Sequence, residues 1–130
     1  MISYPIAIDG VVYQNIHVTE LKRSFQVLDG ENAGRVMNGA MKRDIIGTFY
    51  NYSIKVDADN ASPQEYDSFY DVVSAPSESH SITVPYAQTT KTYDAYITAG
   101  SDTLLLMEDA KNRWGELAFN FIAMEPQRRP

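Results

Sequence analysis

The sequence predicts a mainly β domain of the α+β class, an antiparallel β-sandwich or partly closed barrel flanked by one helix. Three observations predict it. Apolar residues recur at every second position in several runs, and short turn segments separate those runs. One stretch, Ser62 to Val73, carries helical spacing instead. The connections between the β-prone runs are also too short for the crossover helices that a parallel sheet requires.

The first element is Tyr4-Pro5-Ile6-Ala7-Ile8, joined to Val11-Val12-Tyr13 through Asp9-Gly10, the dipeptide that tight hairpins favour. Pro5 has no amide donor, so this strand is expected at an edge or beginning just after the proline. A second run covers Ile16 to Leu28, with Leu21, Phe25 and Val27 on one parity and Glu20, Lys22, Ser24 and Gln26 on the other. Asp29 to Gly34 is turn chemistry, two glycines with an Asp and an Asn. Met41 to Ile46 then leads into Thr48 to Val56, where Tyr50, Tyr52, Ile54 and Val56 share one sheet face.

Ser62-Pro63-Gln64-Glu65 combines a capping serine, proline at the first helical position and glutamate three residues after the cap. Tyr66, Phe69, Tyr70 and Val73 make the apolar stripe, and Ala75-Pro76 stops the helix. Strands return at Ser81 to Tyr86, Thr92 to Thr98, Thr103 to Met107 and Trp114 to Met124. In the last, Leu117, Phe119, Phe121 and Ala123 form one face. Ala118, Ile122 and Met124 make the other partly apolar, which suggests cover on both sides. Asp109 to Arg113 reads as the polar connection of a hairpin.

No repeat, linker or low-complexity tract divides the 130 residues, so residues 1–130 are expected to form a single domain. Hydrophobic residues make up 44% and charged residues 22%, the composition of a chain that can close its own core. There is no cysteine, which excludes disulfides, thiol chemistry and cysteine-ligated metal sites. The longest strictly apolar run, Leu104 to Met107, is far below the ~20 residues that span a bilayer, so no membrane partner is expected. The first basic side chain is Lys22, so no signal peptide is expected at the start. The net charge of −6 speaks against free association with nucleic acid.

The expectation is therefore a protein that is not an enzyme, with no catalytic residue, no cofactor and no metal site. His17 and His80 each lie in a polar β-prone stretch with no nucleophile or carboxylate nominated nearby, as surface or sheet-edge histidines would. Asp57-Ala58-Asp59-Asn60 begins like a calcium loop, but Ala61 and Ser62 stand where an oxygen ligand and a glycine are needed. The acidic residues also suit the start of a helix. Asp29, Glu31 and Asn32 are explained by a turn. The nine tyrosines, five phenylalanines and Trp114 are mostly placed by periodicity in a core, although Trp114 could cap that core or stand exposed. An exposed aromatic platform would make a glycan- or ligand-binding module, the alternative function. Arg128 and Arg129 are either a frayed terminus or an arm that pairs with carboxylates of a neighbouring subunit.

The stretch Arg23-Ser24-Phe25-Gln26-Val27-Leu28-Asp29-Gly30-Glu31-Asn32-Ala33-Gly34-Arg35 resembles small prophage proteins from tail-gene clusters of Gram-positive bacteria. Its continuation, Met41-Lys42-Arg43-Asp44-Ile45-Ile46-Gly47-Thr48-Phe49-Tyr50-Asn51-Tyr52, is similar to theirs, as is the ending Trp114-Gly115-Glu116-Leu117-Ala118-Phe119-Asn120-Phe121-Ile122-Ala123-Met124-Glu125-Pro126. The resemblance implies a tail-tube-like β-sandwich with one flanking helix. It implies a phage tail structural component acting as a tube, distal-tail or adaptor subunit, in the virion tail after assembly in the host cytoplasm. It further implies self-assembly into homo-oligomeric rings, hexameric in such proteins, contact with other tail proteins, and DNA only as cargo passing through a lumen. An acidic wall would suit that passage by repelling phosphates.

Overall fold

A computed structural model describes residues 2–108 and 111–130. The strands are β1 (Tyr4–Ile8), β2 (Val11–Asp29), β3 (Gly34–Arg35), β4 (Met41–Lys42) and β5 (Ile45–Asp57) before the helix α1 (Pro63–Val73). After it come β6 (His80–Tyr86), β7 (Thr89–Tyr96), β8 (Gly100–Glu108) and β9 (Lys111–Ala123). Asp109 and Ala110, within the expected polar connection, lie outside the described residues, while Lys111 to Arg113 already belong to β9.

Every pairing among the described strands is antiparallel. Seven strands form one sheet in the order β5-β2-β1-β6-β7-β9-β8, and β3 pairs with β4 in a separate ribbon. Because β5 also pairs with β9, from Tyr52↔Phe121 to Lys55↔Ala118, the sheet curls back on itself. Two seams are short: β1 meets β6 through Ile8↔Ile82, and β7 meets β9 through Ala95↔Ala123 and Tyr96↔Ile122. The architecture is thus mainly β with one helix, a curled sheet that stops short of a closed barrel.

Local chemistry explains the elements. Asp9 and Gly10 both take positive φ (52° and 78°), the backbone of the primed turn that matches strand twist. Contrary to the expectation from Pro5, β1 begins at Tyr4 and lies between β2 and β6. The proline is tolerated because it pairs with His17 of β2 while β6 reaches only Ile8. The Ser62 hydroxyl accepts the Glu65 amide (3.1 Å), with Pro63 opening the helix and Ser74 closing it.

The core holds the inward faces of the strands: Ile6 and Ile8, Ile16 and Val18, Tyr52 to Val56, Ile82 and Val84, and Leu117 to Phe121. Phe69 is fully buried and meets Tyr13 and Phe119 edge-on, with centroids at 4.9 and 5.9 Å, which seats α1 over one end of the curl. That end is where β5 finishes and β6 starts. The opposite end carries Tyr50 and Tyr86, about 23 Å away along β5 at ~3.3 Å per residue. The outer face of β9 is half-buried at Ala118, Ile122 and Met124.

Two hairpins leave this body. The outer half of β2 runs with the start of β5 from Leu21↔Ile54 to Asp29↔Ile45, and the β3–β4 ribbon continues the excursion. The second hairpin is β8 with the first residues of β9. Its register shifts between Ser101 and Thr103, opposite Glu116, which takes a φ of 57°. The bulge separates the core-facing part of β9 from its protruding part.

Candidate functional site

The two histidines differ. His17 is half-buried with both ring nitrogens engaged, Nδ1 with the Ser3 hydroxyl and Nε2 with the Gln14 carbonyl, each at 2.8 Å. His80, expected at a surface or sheet edge, is instead 5% exposed, and its Nδ1 stands 2.7 Å from Asp9 Oδ2. The partner was invisible in sequence because it comes from the β1–β2 turn, 71 positions away. Asp9 Oδ1 also accepts the Ser81 amide (2.9 Å). Desolvation pushes the Asp9 carboxyl up, but the His80 and Ser81 hydrogen bonds and the His80 charge together hold it below its ordinary value. The pair ties the β1–β2 turn to the start of β6.

The acidic segments are turns. Asp57 Oδ1 accepts the Asp59 amide (2.8 Å), and among the described residues no group of three His, Asp or Glu side chains converges as metal ligands do. Arg43 Nε reaches both Asp29 oxygens (2.8 and 3.0 Å), while the Asp44 carboxylate accepts the Asn32 amide (3.3 Å). Of the two places open to it, capping the core or standing exposed, Trp114 takes the second. It is 40% exposed and lines an open cleft of about 260 Å³ with Tyr66, Asp67, Tyr70 and Asp102, between α1 and the β8–β9 hairpin. Most other aromatics fill the core as periodicity requires, and Tyr70 is the stripe residue left at the surface.

At the end opposite α1, the mouth of the curl is cationic. Arg23 pairs across from Tyr52, and Lys91 across from Val84, so both stand on the inward face where the strand pattern places apolar residues. The Arg23 guanidinium lies 5.3 Å from the Tyr86 ring centre and the Lys91 ammonium 4.8 Å, on a ring whose hydroxyl donates to Tyr50 Oη (3.1 Å). Arg128 arrives from the C-terminal segment, whose main chain pairs with Thr48: the Thr48 amide donates to the Arg128 carbonyl (2.8 Å). The Tyr86 hydrogen bond, against the upward pull of burial, and then Arg128 and Lys91 lower the Tyr50 pKa from its ordinary value. Among the described residues no carboxylate is within ion-pair distance of Arg23, Lys91 or Arg128. The sequence signal for this mouth is a charged residue at core parity, Arg23 between Leu21 and Phe25 and Lys91 before Tyr93.

The hairpins expose apolar side chains. Phe25 is 72% exposed and Met37 fully so, with Val27, Met41, Ile45 and Ile46 beside them. On the second hairpin Leu104, Leu105, Leu106 and Met107 are consecutive and all exposed. Successive strand residues point to opposite faces, so the hairpin carries apolar side chains on both, while Trp114 opposite Leu104 turns toward α1. No protein-family model and no curated protein matches the chain.

Proposed function

We propose that this protein is a non-enzymatic structural subunit of a phage tail that assembles into rings as a tube, distal-tail or adaptor component. The observation that carries the reading is the β8–β9 hairpin, which exposes four consecutive apolar residues, Leu104 to Met107. An isolated two-stranded hairpin is marginal in water, and large exposed apolar surface marks an interaction site. Lodged against neighbouring copies, the hairpin gains the cover its residues need, and the β2–β5 hairpin with Phe25 and Met37 offers a second such surface. Contacts between unlike surfaces are heterologous and close only with rotational symmetry, which gives rings, six-fold as in the tail proteins the sequence resembles. Other tail proteins meet the ring faces, and DNA passes only as cargo. The virion tail is the destination, and the host cytoplasm is the place of assembly. Electron microscopy of the concentrated protein tests this: closed rings support it, and isolated particles of single-chain size at every concentration oppose it.

The Trp114 cleft favours a second reading, a glycan-binding module, because Trp114 and the half-exposed Tyr70 flank two carboxylates, Asp67 and Asp102, as a sugar platform requires. At about 260 Å³ the cleft is smaller than the ~300–1,000 Å³ of most small-molecule sites, which ranks this reading second. The single tryptophan makes the test direct. Oligosaccharides that shift Trp114 fluorescence saturably, on a protein that stays monomeric, would favour the module.

A further inference from the structure

We propose that the cationic mouth formed by Arg23, Lys91 and Arg128 is the docking site for the acidic face of helix α1 of a second copy of this chain, so that copies join head to tail. The inference rests on the assembly reading above and names one contact within it. Five segments of the chain, β2, β5, β6, β7 and the C-terminal residues, bring three cations and the Tyr50 and Tyr86 hydroxyls to one end of the curl. Cations placed at core-parity positions without carboxylates forgo both burial and ion pairing. An anionic partner restores the second.

The chain supplies that partner itself. Asp67 and Asp71 are exposed, one turn apart on the same face of α1, and neither pairs with a cation among the described residues. No basic residue stands in the helix's last turn. Lys111 borders the same end near Asp67, and Arg113 Nη2 is engaged by the Asp59 carbonyl, so the acidic groups Asp57, Asp59, Asp67 and Asp71 outnumber the cations there. Because α1 covers the end opposite the mouth, the complementary surfaces face away from each other on one subunit. That geometry permits docking between copies and forbids it within one.

Analytical ultracentrifugation of the full chain and two charge-reversed variants tests the contact. Lys91→Glu with Arg128→Glu makes the mouth acidic, and Asp67→Lys with Asp71→Lys makes the helix basic. Each variant alone is expected to self-associate about tenfold or more weakly than the native chain, and an equimolar mixture to recover association in alternating order. Added salt should weaken the native contact. Lys22→Glu with Lys55→Glu, on the outer face of β2 and β5, carries the same net charge as the mouth variant and should associate like the native chain. Thermal melts establish that each variant folds, and the neutral pair Lys91→Gln with Arg128→Gln, expected to be intermediate, serves if the reversal does not. If the mouth variant assembles as the native chain does, the inference falls while the ring reading stands. If the native chain and the mixture both stay monomeric, both fall.

Discussion

The Tyr66 hydroxyl donates a 2.8 Å hydrogen bond to Asp102 Oδ2, which fastens helix α1 to strand β8 at the base of the protruding hairpin. Burial first, and then this carboxylate, raise the pKa of Tyr66, and burial likewise raises Tyr93 and pushes Tyr4 up to about 12. An unfolded tyrosine titrates near 10. A folded value above the unfolded one gives stability that is complete below pH ~10 and is lost as pH rises through the folded values. Melting temperatures should therefore hold steady up to pH ~10 and fall steeply above it. The tyrosinate absorbance of these three residues should appear together with unfolding. A gradual phenol titration preceding any loss of structure would contradict the burial of these side chains.

Phe69 and Tyr70 are neighbours with opposite fates, the first fully buried between Tyr13 and Phe119, the second 37% exposed. Phe69→Ala should cost about 3–5 kcal/mol. Tyr70→Ala should cost about 1 kcal/mol or less. Denaturant melts of the two variants check the difference, and equal losses would mean that α1 is seated on another face.

Glu116 holds a left-handed backbone at the bulge in β9, a conformation that costs a side-chain-bearing residue about 1–2 kcal/mol. Glu116→Gly should therefore be neutral or raise stability by up to about 1 kcal/mol, because glycine pays in unfolded-state freedom part of what it saves in strain. A melting temperature lowered by several degrees would show that the Glu116 side chain holds the bulge.

Much of the body was legible from periodicity and caps. Tyr50, Tyr52, Ile54 and Val56 are buried on one face, the Ser62 cap and Pro63 open the helix, and Leu117, Phe119, Phe121 and Ala123 line the core as their alternation requires. The His80–Asp9 pair and the cationic mouth were not legible, because each joins segments far apart in sequence and depends on how the sheet curls. Alternation alone does not show that Trp114 and the Leu104 to Met107 run lie outside the core. They are exposed because the bulge at Glu116 carries their hairpin off the body.

Gly47 is the position where the C-terminal segment crosses β5. A Cβ there would meet Pro126 Cβ at 2.6 Å and press on the Arg128 carbonyl. Gly47→Ala should cost about 1–3 kcal/mol and free the segment that delivers Arg128 to the mouth. Faster trypsin cleavage at Arg128, followed by mass spectrometry, reports the release. Unchanged cleavage with unchanged stability would place the segment elsewhere.

If the exposed hairpins are assembly surfaces, the mass of the particle in solution reports it. Light scattering coupled to size exclusion, over a range of loading concentrations, should give a closed species of about 88 kDa, six times the 14.6 kDa of one chain. Leu105→Glu with Met107→Glu should return that species to monomer without unfolding it. A native chain that stays at 14.6 kDa at every concentration would contradict the account.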